Sequence, residues 1–475
     1  MNEHIKGFLS FSFGTWLRFI ISFFTAPIIS YLIVPEEYGK SSMFGLVSSI
    51  LMIVLLMGID EGFMRFYHEF EENRRSDLFV TIVLFSLFNI TLSSIVILTF
   101  SSKISIALYG ENYPIANFVL LMSLLVSVFQ KLINLTFRME KRGIVFSFGE
   151  VLSTIFGFFG TLLYILFIKR NFFAILFGGL VGSIVSFVYA LSKFNFKYLK
   201  GKFSIKILKN LLVYSIPYLP TYLFVWLMNA IDRITLRQYS TFSEIGIYST
   251  AFKLVATTQI ITTGFFNYWF PLSYEVYEKN SADLSFFRRA NKFTSFMMFL
   301  LGLLALTFKD LFFLIFSKSY REASYVAPFL ILIPVTSVIH QTVIIGINLS
   351  KKPYMHFFMA VISALANYFG NLLLVPILGA KGAAISTGLS HILLYFIGMW
   401  LSERTFYIGF EKKRPLIAIC FLVLQSVVGT LSNIHWIFNM LTGITFIIFL
   451  IRIYKDEFET LLYKNILPFV KTKFS

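Results

Sequence analysis

Runs of apolar residues long enough to cross a bilayer follow one another along the whole chain, and that succession limits the fold more than any single motif. A hydrocarbon core takes about 20 mostly apolar residues per helix. By this measure about fourteen spans fit, the first at 8 to 33 and the last at 436 to 453. Only 14% of the 475 residues are charged, whereas 57% are hydrophobic and 19% aromatic, a balance that excludes a soluble globular chain. The expected fold class is an all-α integral membrane protein. Arg18 interrupts the opening apolar stretch and no small-residue cleavage site follows it, so that stretch is expected to stay as the first span. The single cysteine, Cys420, allows no disulfide within the chain and argues against a zinc site or a redox pair.

Lysine and arginine set the orientation, because basic loops are retained on the cytoplasmic side. With the N-terminus inside, the inner loops include 65 to 77, 138 to 142, 193 to 209 and 403 to 414; with both tails, the inner segments hold about 28 of the 41 basic residues. Both termini are expected in the cytoplasm. This asymmetry, with attraction to anionic membrane lipid as a partner, accounts for the net charge of +17 without nucleic acid.

The chain also repeats itself. At an offset of about 207, "FYHEFEEN" (66 to 73) lies over "SYEVYEKN" (273 to 280), and Gly39 falls on Gly246. At about 210, Lys141, Ser153 and Gly160 fall on Lys351, Ser363 and Gly370. Each pair occupies the same place in the expected topology, which points to two six-helix lobes of parallel orientation. The expected divisions are 1–209 for the first lobe and its Lys-rich inner linker, 210–414 for the second lobe, and 415–475 for two further helices and a cytoplasmic tail. Two such lobes facing one another enclose a cavity in the manner of an alternating-access transporter.

Four stretches carry a family likeness: "LIVPEEYGKSSMF" (32 to 44), "MGIDEGFMRFY" (57 to 67), "NAIDRITLRQYSTFSEIGIYSTAFKL" (229 to 254) and "NLLLVPILGAKGAAIST" (371 to 387). Together, in this order, they resemble the polysaccharide transporter family. That family contains the Wzx-type O-antigen flippases and belongs to the multidrug/oligosaccharidyl-lipid/polysaccharide exporter superfamily. The resemblance implies a V-shaped, fourteen-helix protein of the bacterial inner membrane. Its cargo would be an undecaprenyl-pyrophosphate-linked oligosaccharide, an O-antigen or capsule repeat unit, moved from the inner to the outer leaflet. A polysaccharide polymerase and a chain-length regulator are the protein partners such a pathway offers. Two rivals share the superfamily: the lipid-linked peptidoglycan precursor flippases, and the multidrug cation antiporters. The likeness to the second branch predicts an acidic residue in the first helix, where this chain carries Arg18.

A charge within a span costs at least about 2.5 kcal/mol to insert, so such residues are expected to face a polar cavity or to reach back to the surface. Three basic residues lie in spans: Arg18, Lys131 and Lys253. Arg18 is near mid-bilayer, where reaching either surface is difficult. Lys253 lies about 12 Å below the outer end of its span, and Lys131 near an inner end, within reach of the headgroups. As a set they are the candidate cationic cavity for the pyrophosphate of the cargo. Asp60 with Arg65, and Asp232 with Arg233, are placed at span ends, as gate ion pairs or as solvated caps. Tyr214, Tyr218 and Tyr222 share one helix face, as a glycan-facing stripe or a packing surface. Glu150, His340 and His391 are candidates for ion coupling, against interfacial or packing roles. Pro217 and Pro220 are expected to kink or break their helix, and Gly178 and Gly182 to let two helices approach closely.

No P-loop, Ser/His/Asp arrangement or paired-carboxylate site can be assembled from the short loops. An acyltransferase or polymerase with many spans is the enzymatic rival, and the polymerase class is expected to carry a large extracytoplasmic loop. The chain is therefore read as a transporter and not an enzyme, with no metal or other cofactor.

Overall fold

A computed structural model describes residues 3–279, 283–352, 354–431 and 435–461, with side chains from residue 13 onward except those of 257–261, 263, 264, 267 and 268. Every regular element among the described residues is helical. Lipid offers a backbone no partner, so each apolar segment must satisfy its N–H and C=O groups within itself. Among the described residues 13 helical segments are long and apolar enough to cross a membrane. The remaining expected span, 245 to 270, lies inside a single helix of 38 residues whose apolar content Ser249, Thr250 and Lys253 dilute.

The chain divides into two compact units, Met1–Arg233 and Ile234–Ser475. The first contains α1 (Glu3–Leu32), α2 (Pro35–Leu56), α3 (Ile59–Phe66), α4 (Arg75–Thr99), α5 (Ser101–Tyr109), α6 (Pro114–Met139), α7 (Gly143–Phe167), α8 (Phe172–Lys193) and α9 (Ile205–Ser215). The boundary between the units falls inside α10 (Leu219–Tyr239). The second contains α11 (Phe242–Lys279), α12 (Ser285–Thr307), α13 (Lys309–Leu314), α14 (Ala323–Val343), α15 (Ile345–Leu349), α16 (Tyr354–Leu378), α17 (Ala380–Thr405), α18 (Lys413–Thr430), α19 (Trp436–Ile453) and α20 (Lys455–Thr460). Phe88, Leu166, Leu373 and Ile377 are among many large apolar side chains exposed on these helices, as a lipid-facing surface requires.

Two breaks shape the first unit. The run read as one span from 40 to 63 is two helices, because Met57 (φ 49°) and Gly58 (φ 75°) are both left-handed and end α2 before α3 begins. The run from 210 is also interrupted: Pro217 lacks the N–H that would continue the ladder, and Ile216–Tyr218 forms a 3-10 turn between α9 and α10. Further along the first unit, α7 and α8 pack through small residues. A Cβ on Gly178 would stand 2.5 Å from the Gly157 carbonyl oxygen, and one on Gly182 only 2.2 Å from that of Ser153, so the close approach expected of this pair is real.

The sequence repeat has a physical counterpart in each unit. In the first, Glu37 of α2 accepts a hydrogen bond from the Phe172 N–H at the start of α8, at 2.6 Å. In the second, Glu244 of α11 accepts one from the Ala380 N–H at the start of α17, at 2.7 Å. Lys141 and Lys351, matched in sequence, both adopt a left-handed backbone (φ 58° and 57°). Each closes its helix in the same way: Arg142 N–H reaches the Phe137 carbonyl at 2.8 Å, and Lys352 N–H reaches that of Ile347 at 3.3 Å.

Candidate functional site

The break after Leu56 decides where the first unit's charges go. Asp60 and Glu61 do not end a long span as expected; they occupy the first turn of α3, beside N–H groups with no helical partner and the positive end of the helix dipole. Two carboxylates are stable there. Arg65 lies five residues beyond Asp60, too far round the helix to face it, and it pairs with Glu69 one turn on. Asp60 pairs instead with Lys131 of α6, Nζ to Oδ2, at 2.7 Å. Lys131 is thus directed at a carboxylate and not only toward a surface.

Arg18 of α1 meets Glu150 of α7 in an ion pair. Both pairs line one cavity of about 620 Å³, together with Glu61, Gln130, Asn134 and Arg138. Its ionisable lining is balanced, with Arg18, Lys131 and Arg138 against Asp60, Glu61 and Glu150. Of the three cations expected to share a cavity, Arg18 and Lys131 line this one, each beside a carboxylate. A second cavity of about 650 Å³ shares Asp60, Glu61 and Lys131 and extends to Tyr222, Trp226 and Asn229 of α10. Trp226 is fixed there by its indole N–H, which donates to Ser49 Oγ at 2.9 Å.

The tyrosines continue this surface. Tyr214 and Tyr218 have ring centroids 5.6 Å apart, and Tyr218 and Tyr222 stack at 6.3 Å, so the stripe survives the break at Pro217. Tyr214 and Tyr218 line a further cavity of about 780 Å³ with Lys209 and Asn210. Asp232 and Arg233 are not at a helix end: α10 runs on to Tyr239, because the polar residues after Ile231 still favour helix. Asp232 is buried, whereas Arg233 borders a cavity of about 380 Å³ beside Ser42 and Trp226.

Lys253 is half-buried on α11, in the second unit. That unit has polar groups of its own. Asn367 and Asn371, one turn apart on α16, are buried and linked, with Asn371 Nδ2 donating to Asn367 Oδ1 at 2.9 Å. From α17, Ser386 Oγ donates to the same oxygen at 2.9 Å and Thr387 Oγ1 at 3.3 Å. This cluster was not anticipated; its signal was two asparagines at helical spacing within an apolar run. His340 is buried against Gly398, whose Cβ would stand 2.4 Å from the imidazole. The Nδ1 atoms of His340 and His391 have no hydrogen-bond partner among the described residues.

Helices of bilayer length, a repeated plan and cavities lined by charged side chains of those helices define an all-α multi-span membrane protein. The chain belongs to the polysaccharide biosynthesis protein family, whose model matches residues 28–325, more than half of the sequence. Over 313 residues it is 26% identical to a protein of Haloferax volcanii described as a probable low-salt glycan biosynthesis flippase, Agl15. That match covers 62% of this chain and 65% of the relative, just under two thirds of the relative's length. Among solved structures, the lipid II flippase MurJ in an inward closed conformation superposes with a TM-score of 0.69 at 17% identity, over 96% of this chain and 99% of that one. A multidrug resistance MATE family transporter of the MOP superfamily, in an inward-facing conformation, gives 0.61 at 14% identity over 82% and 94%. These two likenesses establish a shared fold.

Proposed function

We propose that this chain is a flippase that carries an undecaprenyl-pyrophosphate-linked oligosaccharide repeat unit from the inner to the outer leaflet of a bacterial inner membrane by alternating access. The observation that carries the reading is the cavity in which Arg18 and Lys131, cations placed within bilayer-length helices, stand together. A pyrophosphate brings at least two negative charges out of the headgroup region. Guanidinium and ammonium groups in a partly dry site are suited to receive them. The aromatic surface from Tyr214 to Trp226 offers rings and hydroxyls to the sugars, while the lipid tail remains in the bilayer. Lys253 is assigned to the same path, and residues 1–209 and 210–414 to the two alternating lobes, with both termini in the cytoplasm. No covalent step is needed for this transfer.

The test is complementation of a strain lacking its O-unit flippase. Wild type should restore surface polysaccharide, while Arg18→Ala, Lys131→Ala and Lys253→Ala at matched membrane abundance should each lower it at least about tenfold, the loss of roughly one charge-assisted bond. Full activity in all three would remove the cationic path. Rescue of a strain depleted of its peptidoglycan precursor flippase, with no effect on O-units, would move the cargo to that class.

A further inference from the structure

A pocket at one end of the first unit lies outside the proposed transport path. It has a volume of about 620 Å³ and is formed by the segment from α3 to α4, the end of α6 and the turn at Phe196–Lys200. Its base is a fixed chain of hydrogen bonds. Tyr67 and Tyr198 share one at 2.5 Å, Tyr198 donates to Glu140 Oε1 at 3.0 Å, and Arg142 Nη1 donates to Glu140 Oε2 at 3.1 Å. Burial, reinforced by the bond to Tyr67, holds the Tyr198 phenol well above its ordinary range, so it stays protonated. Glu140 is therefore already engaged on both oxygens.

Arg75 is held in place before any ligand arrives. Its Nε donates to the carbonyls of Tyr67 at 3.2 Å and Phe70 at 3.3 Å, and its guanidinium lies over the Tyr67 ring at 4.5 Å. Nη1 forms a loose ion pair, at 3.8 Å, with Glu72, an exposed carboxylate that also lines the pocket and that a bound phosphate would displace. Lys197 lines the same pocket, on a turn where Asn195 Oδ1 accepts from the Lys197 N–H at 3.1 Å. A fixed guanidinium and a nearby ammonium are a phosphate-binding set.

The adjoining turn indicates the source of that phosphate. Lys197, Lys200 and Lys202 are interleaved with Phe196, Leu199 and Phe203, which are 56%, 50% and 47% exposed. Large bare apolar side chains among lysines, just beyond the end of a membrane-length helix, suit the boundary between acyl chains and headgroups. We propose that this pocket binds the phosphate of an anionic membrane phospholipid, with Arg75 and Lys197 on the phosphate and Phe196, Leu199 and Phe203 among the acyl chains.

Native mass spectrometry of the full chain, released from nanodiscs of equal phosphatidylglycerol and phosphatidylcholine, tests the assignment. Preferential retention of phosphatidylglycerol is expected. Lys197→Gln should reduce that preference about tenfold; Arg75→Lys, which keeps the charge but loses the fork, should also reduce it; Lys318→Gln, on an exposed turn of the second unit, should behave as wild type. Melting curves in parallel identify a variant that fails to fold, and Lys197→Gln, on an exposed turn, carries the test if Arg75→Lys is lost. Equal retention of the two lipids, or wild-type preference in Lys197→Gln, overturns the proposal. So does displacement of the lipid by millimolar inorganic phosphate or glycerol 3-phosphate, which would make the ligand a soluble phosphate.

Discussion

Arg18 and Lys131 in the first unit's cavity are each held by a carboxylate, with which the proposed anionic cargo would compete. Glu150→Gln leaves Arg18 without its counter-charge. The variant is expected to bind a short-chain polyprenyl pyrophosphate up to about tenfold more tightly than wild type, measured by competition in detergent. Unchanged or weaker binding by a folded variant would sink the competition model. The Lys131 side chain is 43% exposed, so its bond to Asp60 contributes about 1 kcal/mol or less to stability. Lys131→Met should therefore melt within a few degrees of wild type while losing transport; a large drop in melting temperature would make the pair a structural strut. Arg18 and Lys131 were legible as charges inside apolar runs, but their partners were not. Glu150 is 132 residues from Arg18, and no periodicity links such distant positions.

The helices were legible as apolar runs because backbone saturation leaves lipid-embedded segments no other form. Their interruptions were only partly so. Pro217 announced a break, whereas Met57 carried no sign of a left-handed backbone, and the continuation of α10 past Ile231 was hidden because hydropathy falls where helix propensity does not. Two predictions belong to this scale. Lys141 and Lys351 hold conformations that glycine adopts without a steric cost, so Lys141→Gly and Lys351→Gly are each expected to raise stability by about 0.5–1 kcal/mol, seen as a higher melting temperature. Gly182→Leu is expected to force α7 and α8 apart, costing about 1–3 kcal/mol or preventing folding; normal melting would mean that the two helices can slide without penalty.

At the scale of the whole molecule, the repeat seen in a few matched letters reappears as matched chemistry, with Glu37 tying α2 to the start of α8 and Glu244 tying α11 to the start of α17. The buried asparagine cluster of the second unit escaped notice because neutral amides leave little trace in a hydropathy or charge profile. The balanced lining of the first unit's cavity has an electrical meaning. For the function proposed above, three basic and three acidic side chains in this cavity offset one another, which leaves the pyrophosphate as the charge that this cavity would pass outward. Exporting an anion across a membrane that is negative inside is downhill by about 2.3 kcal/mol per elementary charge for each 100 mV. In vesicles holding a potassium diffusion potential, transfer of a pyrophosphate-linked glycan should speed up or slow down with the sign of that voltage, and voltage-independent transfer would contradict an uncompensated cargo charge. For the cargo proposed above, a doubly charged linker would gain enough from 100 mV to sustain an outward gradient of about a thousandfold.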